Sequence, residues 1–316
     1  MTHRQGIAAM LLVTLLWSIA GVVTRHLDSA ASFEVTFWRS AFNALALGAL
    51  LAFIRGPRAV WATLRTGGRT LWLSGLCWSV MFTAFMVALT LTTVANVLVT
   101  MALGPLFTAL LSRFVLKHRL AARTWFAIVL AGVGIGWMYG NELLHSDARA
   151  LVGIGVALAV PLAAATNWTV LQYSRRRGAA QGDGGGDMLP AVLIGALLSA
   201  AATLPLAAPF RATAMDLGLL AMLGALQLAV PCLLCVAVSR VLHAPEMALL
   251  GLLEVLFGVL WAWLGAGETP SSSVLAGGTL VLGALALDAA LGLRQGGAAA
   301  AASKTSQPQA GGRQRA

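Results

Sequence analysis

The sequence predicts an all-helical, polytopic membrane protein with ten transmembrane helices in two inverted five-helix repeats. Ten apolar stretches, each long enough to cross a bilayer, follow one another with only short basic or polar loops between them. With 59% hydrophobic and 10% charged residues over 316 positions, and a mean hydropathy of +0.84, too little polar surface remains to wrap a soluble globule. The basic residues also alternate by loop, as they do when membrane insertion sets orientation.

A hydrocarbon core of roughly 30 Å needs about 20 helical residues. The spans read as 7 to 24, 33 to 54, 71 to 91, 94 to 116, 124 to 140, 150 to 171, 188 to 208, 217 to 239, 245 to 266 and 272 to 292. They are unbroken apolar runs rather than the alternating pattern of a membrane barrel, so backbone groups are satisfied within helices.

With the N-terminus inside, sixteen Lys and Arg fall in inner segments, including Arg4, the group Arg55, Arg58, Arg65 and Arg69, and the run Arg175 to Arg177. Outer segments hold three, Arg25, Arg149 and Arg211, while Arg39 and Arg113 lie within spans. The bias places both termini in the cytoplasm and the protein in the inner or plasma membrane. The net charge of +10 is therefore a record of orientation, not a nucleic-acid footprint. Residues 24 to 27 offer no small-x-small cleavage site, so the first helix is expected to stay uncleaved.

The outer loop 141 to 149 leaves five spans on each side, which makes 1 to 140 and 150 to 292 the two repeats, followed by a disordered cytoplasmic tail at 293 to 316. Five is odd, so the second repeat enters from the opposite side. A shift of 150 places Leu103, Leu106, Phe107 and Leu110 opposite Leu253, Leu256, Phe257 and Leu260. Repeats of opposite topology commonly enclose a substrate site near the midplane.

Glu254 is the most informative polar side chain, about 14 Å deep by helical rise. A charge at that depth costs about 2.5–3.5 kcal/mol on insertion scales and should face the bundle interior. It reads as a substrate-amine contact, a proton-coupling group or a gate, or else as a carboxyl that fixes packing. Arg39, about 9 Å from the outer end of span two, either faces the interior, where it could meet Glu254, or snorkels outward. Asn167, Gln227 and Asn96 are amides in or beside apolar spans, as substrate contacts or interhelical glue. Trp17, Trp78 and Trp168 lie inside spans as stacking or packing residues; Trp261 and Trp263 fit an outer aromatic belt. Pro105, Pro161 and Pro231 remove helical donors and predict kinks that line a cavity, act as gates or only shape the bundle.

Cys77, Cys232 and Cys235 lie in apolar spans and read as packing residues. The glycines of Gly132-Val133-Gly134-Ile135-Gly136 form a GxxxG close-approach signature. There is no P-loop, metal-ligand cluster or catalytic constellation, which excludes ATP-driven pumping by this chain and leaves no expected cofactor or enzymatic role. What remains is a transporter of a small molecule, or a non-transporting membrane interaction or sensor protein.

Beyond these residues, Gly224-Ala225-Leu226-Gln227-Leu228, the run from Leu252 to Leu264 through Glu254, Gly267-Glu268-Thr269-Pro270 and Gly277-Gly278, with Arg39 and Gly104-Pro105, resemble the EamA family of the drug/metabolite transporter superfamily. The resemblance implies ten helices in two inverted repeats, cytoplasmic termini and transport of small metabolites, often amino acids. Amino-acid or related metabolite efflux by alternating access is the expectation that follows. Val255 stands where a proline commonly follows the intramembrane Glu, so the resemblance carries no kink into span nine. His118 stands where the first repeat commonly has an acidic residue.

Overall fold

Apolar runs bounded by caps and breakers become, among the described residues of the computed structural model, sixteen α-helices and one π-helical segment. It describes residues 1–24, 26–27, 32–92, 94–117, 120–144, 147–181, 187–266 and 272–305. Arg25, His118, Arg119, His145, the glycines at 182 and 184–186, the residues 267–271 that include Glu268, and 306–316 lie outside the described residues. The described residues are almost entirely helical and include no strand.

The helices are α1 His3–Ser18, α2 Ala20–Thr24, α3 Ser32–Arg55, α4 Pro57–Thr66, α5 Arg69–Leu91, α6 Val94–Met101, α7 Gly104–Phe114 and α8 Ala122–Leu144. Then follow α9 Ala148–Ala157, α10 Ala159–Gln181, α11 Leu189–Ala207, α12 Ala214–Met222, the π segment Leu223–Ala229, α13 Val230–Val238, α14 Ala244–Gly251, α15 Leu253–Ala266 and α16 Ser272–Thr305. Thr2 and Gln5 close a capping box on α1, the Thr2 amide donating to Gln5 Oε1 at 2.8 Å.

Among the described residues seven helical stretches are long and apolar enough to cross a membrane: His3–Thr24, Phe33–Arg55, Arg69–Leu91, Ala148–Gly178, Leu189–Ala207, Ala214–Val238 and Ala244–Trp261. The apolar helices Ala122–Met138 and Ser272–Asp288 are shorter. The predicted span 94 to 116 is two helices, because Pro105 at the start of α7 cannot donate backward and the chain turns at 102–103. Residues 293–305, expected in a disordered tail, continue α16 as helix; the alanines from 298 to 302 are strong helix formers.

Breaks recur in other spans. Helices α9 and α10 part at Leu158, three residues before Pro161. Pro231 cannot donate to the Gln227 carbonyl in α-helical register, and the wide π turn lies immediately before it. Two breaks have no proline. The chain leaves α1 at Ile19, and α14 and α15 meet at Leu252, where the Val255 amide donates to the Leu252 carbonyl at 3.1 Å in a tight i to i+3 turn. Span nine is thus interrupted one turn before Val255 despite the missing proline.

Helix α11 packs between α3 and α5, α10 packs on α5 and α7, α3 on the π segment, α1 on α13 and α15, and α8 along α16. In that last pair the close approach belongs to Gly134, where an added Cβ would lie 2.7 Å from the Gly277 carbonyl; Gly132 and Gly136, the GxxxG pair, face open space. The sequence signature marked the right helix and the wrong glycines. Trp261, expected in an outer belt, instead donates from Nε1 to Ser18 Oγ at 2.9 Å, linking α15 to the break after α1, whereas Trp263 is exposed.

Candidate functional site

The interrupted helices surround a cavity of about 140 Å³. Its wall includes Trp17, Arg39, Trp78, Gln227 and Glu254, together with Pro105 and Pro161. Apolar and soft side chains complete it: Met10, Met81, Phe82, Phe85, Met101, Trp168 and Met247. Pocket walls of this kind, apolar with a few convergent polar groups, suit small molecules.

Arg39 is buried and faces inward. Its Nη2 donates to Gln227 Oε1 at 3.2 Å, and Gln227 Nε2 donates to the Trp17 carbonyl at 3.0 Å. The break at Ile19 is what presents that carbonyl sideways, since the last carbonyls of a helix have no partner within it. Gly224, one turn before Gln227, lets the π segment lie against α3: an added Cβ would fall 2.6 Å from the Arg39 carbonyl and 2.8 Å from the Asn43 amide nitrogen. Close approach, the π turn and the helix break together hold one guanidinium in the cavity wall. Its Nε has no partner.

Glu254 lies in the first turn of α15. Among the described residues it makes no hydrogen bond or ion pair, while Arg39 is the cation whose field reaches it. An acid and a base therefore share one cavity wall without neutralising each other by contact. Beside them Trp78 stacks edge-on with Trp168, centroids 5.5 Å apart, and its indole N–H is unpartnered.

Asn167 and Pro231 lie outside the cavity lining. Asn167 Oδ1 accepts from Ser74 Oγ at 2.6 Å, which ties α10 to α5 as interhelical glue. Asn96 donates to Thr92 Oγ1 at 2.8 Å and also lies outside the lining. Arg113 is exposed in the last turn of α7. The three cysteines are free and buried, and among the described residues no group of three His, Cys, Asp or Glu could hold a metal.

Sequence reasoning missed the four cavity methionines, because an apolar residue in an apolar helix carries no mark of which side it faces. It also missed Glu34, a buried carboxylate at the start of α3. Its Oε1 accepts from the Arg211 and Ala212 amides at 2.9 and 2.8 Å, which pins the loop before α12.

One solved crystal structure covers 92% of this chain and 99% of its own, with a TM-score of 0.71 at 18% identity, so the two share a fold. No curated protein matches the sequence. Residues 4–140 match the model of the EamA-like transporter family. In its first 140 residues this multi-pass chain is thus similar to the EamA-like transporters, a family of the drug/metabolite transporter superfamily.

Proposed function

We propose that the protein is a secondary transporter that exports a small zwitterionic metabolite, an amino acid or a close relative, across the inner or plasma membrane by alternating access. The observation that carries this reading is the pair Arg39 and Glu254 in one aromatic cavity wall without an ion pair between them. A guanidinium suits a carboxylate, a carboxylate suits an ammonium, and the Trp, Phe and Met surface suits the apolar remainder. Glu254 is also the group through which proton coupling would run, since a carboxyl at this depth must be paired, hydrated or protonated at each step.

Helix pairing supports ten crossings in two inverted repeats. Numbered in order, with α6 and α7 as the fourth segment, segment two packs on seven, four on nine and five on ten. Segment three packs on six and seven, and eight on one and two, the same set after exchange of the halves. Segments one, four, six and nine, all interrupted, supply much of the cavity wall, as discontinuous helices do in carriers built from inverted repeats. The family match also ends at residue 140, the predicted boundary of the first repeat.

Two measurements test this. Single cysteines at positions 58 and 147 should divide in intact cells, with 147 reacting with an impermeant reagent and 58 protected; the opposite pattern reverses the orientation. Purified protein in liposomes should exchange labelled amino acid by counterflow without ATP. Strict dependence on ATP hydrolysed by this chain would sink the carrier reading.

A further inference from the structure

Helix α4 is a feature that the transport reading leaves unused. It begins where one membrane-spanning stretch ends, at Arg55, and closes where the next begins, at Arg69. Gly56 makes the corner with φ of 81°, a left-handed conformation that only glycine adopts without strain, and Pro57 starts the new helix. The helix has two unlike sides. Val60 is buried and Leu64 packs beside it on the bundle core, while Arg58 and Arg65, two turns apart, share a flank and are exposed. Trp61, 63% exposed, stands between the stripe and the flank.

Charge on this surface is one-sided. The segment 55–70 holds four arginines and no carboxylate. Arg55 pairs with Asp187, but Arg58, Arg65 and Arg69 are exposed and, among the described residues, make no hydrogen bond or ion pair. Beside them the ends of α3 and α5 expose Phe53, Ile54 and Trp72. A short helix held at the level where two spans end, with an indole at the rim and cations above it, has the build of an interfacial element.

We propose that α4 and the first residue of α5 form a binding surface for anionic phospholipid, with Arg58, Arg65 and Arg69 on the headgroup phosphates and Trp61 at the interface. It rests on the membrane-spanning reading alone and uses neither the substrate nor the sidedness. Each arginine near an anionic surface favours it by about fivefold, hence on the order of a hundredfold for three.

The test uses the full chain in nanodiscs containing phosphatidylglycerol and phosphatidylcholine, either one brominated. The Trp61 signal is taken as the difference from Trp61→Phe. Trp61 should be quenched preferentially by brominated phosphatidylglycerol, and native mass spectrometry should show that lipid retained. The triple variant R58Q/R65Q/R69Q should lose the preference while melting like the parent in neutral detergent. An unchanged preference in the triple variant overturns the proposal. So does equal competition by soluble glycerophosphoglycerol, which would make the ligand a free anion, or a dimer that shields Trp61 from both lipids, which would make the surface a contact between copies. Transport enters none of these readouts, so failure of the carrier reading leaves them interpretable.

Discussion

Replacing Glu254 by Gln should lower counterflow of labelled amino acid by about fivefold to tenfold, the loss expected when a charge-assisted hydrogen bond worth about 1.5–3 kcal/mol becomes a neutral one worth about 0.5–1.5 kcal/mol. Folding should be spared. Among the described residues Glu254 makes no hydrogen bond or ion pair, so the amide leaves no protein partner orphaned, and a charge that is costly to insert at that depth is removed. The variant should therefore express, elute and melt like the parent. Any pH dependence of transport that belongs to the Glu254 carboxyl should disappear with it. Arg113→Gln is the matched comparison, an exposed charge outside the cavity lining whose loss should move flux far less. If Glu254→Gln carries substrate like the parent at every pH tested, the carboxyl is a packing group and the site assignment fails.

The polar half of this site was legible because apolar helices make polar side chains expensive. Arg39, Gln227 and Glu254 stand out in runs of Leu, Val and Ala for that reason, and the cavity gathers all three. The same signal leaves the role of Asn167 open, since an amide bonded to Ser74 across a helix contact and an amide facing a ligand look alike in a sequence. Prolines announced the breaks near Pro105 and Pro161. No proline announced those at Ile19 and Leu252. Among the described residues seven stretches qualify as full spans, and Ala122–Met138 of α8 and Ser272–Asp288 of α16 are shorter apolar helices. The methionine and phenylalanine wall stayed hidden, because lipid and a buried cavity demand the same apolar chemistry and only the rotation of each helix separates them.

Rotation and spacing are also what Gly224 controls, and its substitution should have the larger structural effect. An alanine there must put its Cβ where the Arg39 carbonyl, the Phe42 Cβ and the Asn43 amide nitrogen all lie within 2.8 Å. Two of those atoms are backbone, so no rotamer change relieves the contact; the π segment has to move away from α3. Overpacking of this kind costs roughly 1–3 kcal/mol. The displacement carries Gln227 with it, stretching its 3.2 Å bond from Arg39 and freeing the guanidinium to turn toward Glu254. Gly224→Ala should therefore lower the melting temperature and reduce transport together. Gly218→Ala in α12, where the added methyl meets open space, should do the opposite to stability, since alanine in an unstrained helix is favoured over glycine by roughly 0.4–1 kcal/mol. The two variants differ by the same chemical change six residues apart, so their melting temperatures must move in opposite directions. If both rise, the π segment does not press on α3, and Gln227 is not held in place by that contact.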